Sequence, residues 1–287
     1  MFEFVKNYRN NDRLRASFNE LTEKTFGLNF EGWYQNGFWT DNYEPYSIVE
    51  NGKVIANVSV NRTNMVWNGQ KRRFIQLGTV MTEENYRNQG LIRRIMKEIE
   101  KDYADVDGMY LFGNDNVVQF YPKFGFRPSM ETEYFKEVVN AEDATIEQVS
   151  MKTAEEWKAF QDAVNRHQVF SSFDMVENSE LYMFYVSQFM QENVYYDSKS
   201  KAYVIAEIEG ADLFIHAVIS EKAVSLEDVI KAFGKEIKFV TLGFTPLDKK
   251  EFKSREHKEE DCTLFLKGKV FDSFEKEKCM FQTLSHA

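Results

Sequence analysis

The chain has 287 residues, with 36 Lys plus Arg against 46 Asp plus Glu, a formal net charge of -10, and 43% hydrophobic and 15% aromatic side chains. That acidity disfavours nucleic acid as a partner, and the supply of apolar side chains excludes disordered, collagen-like and low-complexity classes. Only Cys262 and Cys279 occur, and no apolar run approaches the roughly 18 residues of a membrane span, so the sequence predicts a soluble, reduced, cytoplasmic protein with no membrane partner. Its length suits one large or two ordinary domains. Residues 1–140 carry 18 basic and 19 acidic side chains and residues 141–287 carry 18 and 27, an asymmetry expected of two modules with different jobs.

Leu14, Phe18, Leu21 and Phe26 recur at helical spacing and predict a first helix over residues 11–26. The aromatic stretch that follows, Trp33 to Tyr46, fits neither helical nor strand period and reads as a loop or short helix lying over something. From Tyr46 to Thr82 three β-rich runs are divided by Asn51-Gly52 and Asn68-Gly69, which suit type I′ turns, so an antiparallel meander is expected. Gly90 then opens a helix whose apolar face is Leu91, Ile92, Ile95, Met96, Ile99 and Tyr103. A strand at Met109–Phe112, a helix from Asn116 to Phe124 and a strand near Thr132–Val138 complete the first half.

The second half repeats this order. A strand at Ile146–Met151 leads to a helix with the capping-box residues Thr153 and Glu156, then a helical region at Leu181–Met190. A hairpin around Gly210, a helix at Leu226–Phe233 and strands at Ile237–Gly243 and around Phe265 follow, with Lys249–Glu260 read as an exposed loop or helix. Four scattered histidines and two distant cysteines give no metal-ligand spacing, so no metal is expected.

Gly78 to Arg94 carries the most chemistry: a strand ends, a polar loop follows, and a glycine starts a long helix. Free amides and the helix dipole make such a junction an anion site, and Arg87, Arg93 and Arg94 stand beside it. This region resembles the Gcn5-related N-acetyltransferases (GNAT), whose signature is Q/R-x-x-G-x-G/A. Arg87-Asn88-Gln89-Gly90-Leu91-Ile92 matches the first four positions and departs from the small final residue at Ile92. A second element, Asn114 followed by FYPKFGF at 120–126, matches the family segment after the fifth strand.

The resemblance covers about half of the chain and implies an α/β (α+β) GNAT fold: a mixed twisted sheet with an antiparallel N-terminal meander. The echo in the second half implies two GNAT-like domains in tandem, 1–140 binding acyl-CoA and 141–287 a degenerate copy shaping the cleft or a dimer. By position, Val80, Met81 and Thr82 would face the pantetheine arm of acetyl-CoA, and Arg87, Asn88, Gln89, Gly90, Leu91, Ile92 and Arg93 its pyrophosphate. Asn114 would contact the pantetheine, and Tyr121 would protonate the departing thiolate. The implied activity is acetyl transfer from the thioester to a primary amine on a small molecule or side chain, by direct attack in a ternary complex.

The central strands lack the acidic base of many relatives, showing Met109-Tyr110-Leu111-Phe112 and Gln76 instead. Similarity to tandem acetyltransferases that act on aminoglycosides and lysines implies that the terminal carboxylate of Ala287, or His286 beside it, serves as base. Trp33, Tyr34, Trp39, Asp41 and Glu44 are the expected acceptor-binding residues, through cation–π contact and charge. The second half's matching loop, Glu221 to Ser225, has no Gly or Arg at the needed place and is expected to bind no CoA. A non-catalytic acyl-CoA-binding regulator is the alternative function. A peptidyl transferase using aminoacyl-tRNA fits less well, because the CoA loop is retained and the chain is acidic. The sequence leaves a homo-oligomer open.

Overall fold

The computed structural model describes residues 1–286. In chain order its first part contains β1 (Glu3–Lys6), α1 (Asp12–Phe26), α2 (Glu31–Gln35), β2 (Tyr43–Glu50), β3 (Lys53–Trp67), β4 (Gln70–Thr82), α3 (Leu91–Asp102), β5 (Gly108–Gly113), β6 (Arg127–Ser129) and β7 (Glu131–Glu137). The remainder contains β8 (Glu147–Gln148), α4 (Ala154–Asn165), β9 (Phe173–Val176), α5 (Ser179–Gln188), β10 (Val194–Asp197), β11 (Ala202–Glu209), β12 (Asp212–Ile219), α6 (Leu226–Ala232), β13 (Phe239–Leu242), β14 (Lys253–His257) and β15 (Thr263–Lys267). Two mixed sheets result, in the orders β1-β2-β3-β4-β5-β15-β6 and β14-β7-β13-β12-β11-β10-β8, with β9 added against β3.

Local chemistry explains the meander. Asn51 and Gly52 have φ of 52° and 75°, and Asn68 and Gly69 have 48° and 77°, so both turns place two successive residues in the left-handed region that Asn and Gly tolerate. Asn11 caps α1 by accepting from the Leu14 amide, and Gly27 ends it at φ 70°. On α3, Leu91, Ile95, Met96 and Ile99 are buried in one cluster with Tyr46, Ile48, Val58, Ile75 and Leu111 of the sheet. The capping box of α4 forms as expected, with Thr153 and Glu156 satisfying each other's amides.

Several expectations are corrected. Residues 116–124 form two short 3-10 turns, Asp115–Val117 and Tyr121–Phe124, because Pro122 withholds a donor and Gly125 turns the chain at φ 81°. The run after Asp248 holds the strand β14, whose partner is β7. The two sheets do not divide at residue 140. β7, from the first half, fills the place beside β13 in the second sheet, and β15, near the chain end, fills the place between β5 and β6 in the first. The first sheet thus borrows β9 and β15 from the second half of the sequence, and the second sheet borrows β7 from the first.

Between the sheets lies a core that includes Met65, Phe74, Tyr110, Phe173, Tyr182, Phe271, Phe274 and Phe281. The chain end runs through it. Phe281 stacks on Tyr110 with ring centroids 4.0 Å apart, the Tyr110 hydroxyl donates to the Ser285 carbonyl at 3.2 Å, and the Tyr185 hydroxyl donates to that of His286. The tail is therefore a packed part of the interior wall.

Candidate functional site

The parallel strands β4 and β5 pair only from Phe74 opposite Gly108 to Gln76 opposite Tyr110. Beyond that they diverge, leaving an opening flanked by Leu77–Thr82 and Leu111–Gly113. A bulge helps to make it. Ser59 of β3 is opposite Gly78 and Asn57 is opposite Met81, so Thr79 and Val80 together face Val58. Met81 and Thr82 then pair back with Asn57 and Ala56, which leaves their other backbone edge toward the opening.

The loop into α3 is an exposed nest of left-handed residues. Asn88 has φ 62° and Gly90, the N-cap, has φ 76°, with Arg87 in extended conformation before them. Alternating backbone conformations of this kind point successive amides inward, and the helix adds its uncompensated first-turn amides. A Cβ at Gly90 would meet nothing within 4 Å, so the glycine is required by its φ and not by crowding. Arg93 and Arg94 are exposed beside the loop, whereas Ile92 packs against the core cluster beneath α3, so its extra bulk is taken up by the interior. Backbone donors, cations and an adjoining open sheet fit a phosphate-bearing arm of the acetyl-CoA type.

Tyr121 lies over the end of β5. Its ring packs edge-on to Phe120 at 5.3 Å and tilted against Phe265 at 5.2 Å, and a Cβ on Gly113 would come within 2.7 Å of its Cε2. Burial pushes the phenol up to about 12, so it is a proton donor throughout the neutral range. Asn114 follows Gly113, with its side-chain amide donating to Asp261 at 2.8 Å, and Asp261 also accepts from the Asp115 amide. The loop after β5 is thus pinned by the segment leading into β15.

On the opposite face of the sheet the tail brings His286 to Phe112 of β5, with ring centroids 3.6 Å apart. Burial pulls His286 down to about 4, and its Nε2 has no hydrogen-bond partner among the described residues. Ala287, the other expected base, lies outside the described residues.

The expected acceptor-binding set does not assemble. Trp33 and Trp39 are core residues, 1% and 3% exposed, packed with Phe30, Tyr43 and Phe184, and their indole N–H groups donate to the carbonyls of Glu180 and Tyr43. Tyr34 lies under the Arg15 guanidinium at 3.7 Å, and exposed Asp41 pairs with Arg9. Glu44 points to the other face, accepting from Tyr103 at 2.9 Å and pairing with Arg62. Successive strand residues alternate faces, so Glu44 cannot share a surface with Tyr43 and the aromatic cluster.

A charged group at the end of β5 had no signal in spacing. Phe112, Glu131, His257, Glu259, Cys262 and Thr263 line a cavity of about 410 Å³. Burial raises Glu131 to about 8, although the Phe281 amide donates to it at 2.7 Å. His257 is raised to about 10: burial opposes this, but hydrogen bonds to Glu133 and Glu259 outweigh it. These residues come from β7, β14 and the loop before β15, elements that meet only through the exchanged strands.

In the second sheet, β12 and β13 are the parallel pair, registered from Asp212 opposite Phe239 to Ile215 opposite Leu242. Their far end is closed. The Gly243 amide donates to Ile215, and the Thr283 amide of the tail donates to Gly243 at 2.9 Å, while the Thr283 hydroxyl meets His216 Nδ1 at 2.9 Å. Ser225 is an ordinary cap of α6, accepting from Asp228.

A mixed sheet with a bulged, diverging parallel pair and a glycine-started helix is the arrangement that the sequence resemblance implied. Residues 10–129 match the family model described as an acetyltransferase (GNAT) domain. Solved structures share the wider architecture. A probable N-acyltransferase from Enterococcus faecalis V583, titled a conserved protein of unknown function, is 17% identical with a TM-score of 0.63, over 93% of this chain and 72% of that one. Eis1 from Mycobacterium abscessus is 12% identical with a TM-score of 0.55, over 92% and 72%. A GCN5-related N-acetyltransferase from Kribbella flavida is 13% identical with a TM-score of 0.54, over 93% and 71%. At these identities the likeness is one of fold. No curated protein matches the sequence.

Proposed function

We propose that the protein is an acetyl-CoA-dependent N-acetyltransferase whose single acyl-donor site lies in the first sheet. The observation that carries this reading is the opening between β4 and β5, with the left-handed loop Asn88–Gly90 at one end and protonated Tyr121 at the other. Acetyl-CoA is the acyl donor, held by the amides of residues 88 to 93 and by the free edge of Val80, Met81 and Thr82, with Asn114 at the end of β5. A primary amine enters from the tail side of the sheet, next to Phe112 and His286.

The chemistry balances with the groups present. The amine nitrogen attacks the thioester carbon, the C–S bond breaks, the sulfur takes the Tyr121 proton, and the proton shed by nitrogen passes to His286 Nε2 or onward to solvent. An amide N–H at the bulge stabilises the carbonyl oxygen as charge gathers there. His286 is neutral above pH 4 and so is available as an acceptor. The second half is a degenerate copy: its parallel pair is closed by Thr283 and its loop offers no glycine, so it shapes the acceptor side and binds no CoA.

The test is thiol release from acetyl-CoA across a panel of polyamines, aminoglycosides, amino acids and lysine peptides, with the Tyr121→Phe and His286→Phe variants. Amine-dependent release that falls in both variants, with acetyl-CoA binding retained, is the expected result. Binding of acetyl-CoA without release on any amine would leave a binding protein and end the enzymatic reading.

A further inference from the structure

Thr79 is the one β-branched residue with positive φ among the described residues, at 43°. A second heavy atom on Cβ makes this conformation costly, and such strain persists only where the surroundings over-determine it. It sits in the bulge that separates β4 from regular pairing with β3.

The surroundings are an unusual buried chain of polar groups on the face of the sheet otherwise packed with aromatic rings. Thr79 Oγ1 donates to Ser59 Oγ at 2.6 Å, and Tyr43 OH lies 2.8 Å from Thr79 Oγ1. Asn57 Nδ2 reaches the Thr79 carbonyl at 3.0 Å, its hydroxyl at 3.3 Å and Ser59 Oγ at 2.9 Å. Asn57 is itself held by Ser47, whose hydroxyl donates to Oδ1 at 2.8 Å, and Tyr8 OH lies 2.7 Å from Ser47 Oγ. One direction is consistent with all of these contacts: Tyr8 to Ser47 to Asn57, then Asn57 and Tyr43 to Thr79, and Thr79 to Ser59. Ser47, Asn57 and Ser59 are at most 1% exposed, so the chain had to be stripped of water, a cost that an apolar filling would avoid. Its converging end is the strained residue.

We propose that Tyr8, Ser47, Asn57, Ser59 and Tyr43 form a positioning network for acyl transfer, which holds Thr79 left-handed so that the bulge turns a backbone amide out of the β3 ladder and toward the thioester oxygen. This rests on the acetyltransferase reading above. None of the five side chains touches the substrate; they act through the backbone of residues 79 and 80. All five lie on strands or connections other than β4, which carries the bulge, so no local motif marks them.

The network's role separates from mere stability through glycine, which adopts a φ of 43° at no steric cost. The experiment is a double-mutant cycle on the full chain with Asn57→Ala and Thr79→Gly, reading kcat, KM for acetyl-CoA, melting temperature, and acetyl-CoA binding by calorimetry. Asn57→Ala alone is expected to lower kcat on the order of 10–100-fold while moving KM far less, the loss that a misplaced group of about 1 Å produces. Thr79→Gly is expected to lower kcat by less than this, and adding Asn57→Ala to it should cost little further turnover, although the melting temperature still falls. Should Asn57→Ala fail to fold, Tyr43→Phe, which removes one hydroxyl, replaces it in the same cycle. Equal losses of kcat in the two backgrounds, or a Thr79→Gly variant as impaired as Asn57→Ala, would overturn the proposal while leaving the enzymatic reading intact. A wild-type protein that releases no thiol with any amine overturns both.

Discussion

Gly113→Ala offers a test of Tyr121 that leaves the phenol in place. The added Cβ would lie 2.7 Å from Tyr121 Cε2, 3.3 Å from its Cδ2 and 3.4 Å from Phe265 Cε2. Ordinary contact begins near 3.4 Å, so the tyrosine ring must retreat by about 0.7 Å. It cannot do so freely, since Phe120 and Phe265 hold it at centroid distances of 5.3 Å and 5.2 Å. Gly113 carries no left-handed φ, so the substitution acts as a steric wedge without backbone strain. Overpacking of this kind costs about 1–3 kcal/mol. A displacement approaching 1 Å at a reacting group costs up to about 100-fold in rate. The expected outcome is a folded protein with a modestly lowered melting temperature, acetyl-CoA affinity near that of the parent, and kcat reduced by one to two orders of magnitude. In a Tyr121→Phe background the wedge should cost almost nothing more, because the group it displaces has already lost its proton. A kcat within twofold of the parent, or full losses that multiply in the double variant, would refute the role given to Tyr121.

Gly90→Ala addresses the donor loop: the methyl has room but the φ of 76° does not suit it, at about 1–2 kcal/mol for a non-glycine residue. Acetyl-CoA affinity should weaken at least about tenfold, equivalent to about 1.4 kcal/mol, as calorimetry would show; unchanged affinity would exclude the loop from the site. Acid should weaken the tail. Burial lowers both His216 and His286 from 6.5 to about 4, so the unfolded chain binds more protons as pH falls through that window. Their stability contribution is whole above pH 6.5 and declines toward pH 4, by on the order of 3 kcal/mol for each. Denaturation curves on the His286→Phe variant, which keeps a ring against Phe112, should show a shallower acid decline; an unchanged slope would mean the ring is not buried neutral.

What could be read from the sequence was what local chemistry decides. The Asn-Gly turns, the glycine before α3 and the Thr153–Glu156 box are short-range devices, and each forms. The aromatic stretch misled because its irregular period hides that Trp33 and Trp39 converge with Phe184, a residue roughly 150 positions away in α5. Glu44 was legible in principle, since strand alternation places it opposite Tyr43. The exchange of β7 and β15 was not legible: both are short runs whose partners are fixed by which sheet edge is open. The cavity of Glu131, His257 and Glu259 exists only because of that exchange, so spacing along the chain carried no trace of it.

The borrowed strands set an order of events in the making of the protein. Gly113 is registered with Thr263, about 150 residues later, so the edge of β5 stays bare until β15 has been synthesised. Closing such a span is slow compared with forming hairpins. A nascent or truncated chain can therefore build the loop before α3, which is local, but neither the segment that pins Asn114 nor the tail segment that stacks on Phe112. Under the proposed function, a chain cut before β15 would hold no complete site, and a proteolytic nick that releases residues 280–286 would silence the first sheet while leaving its fold largely in place.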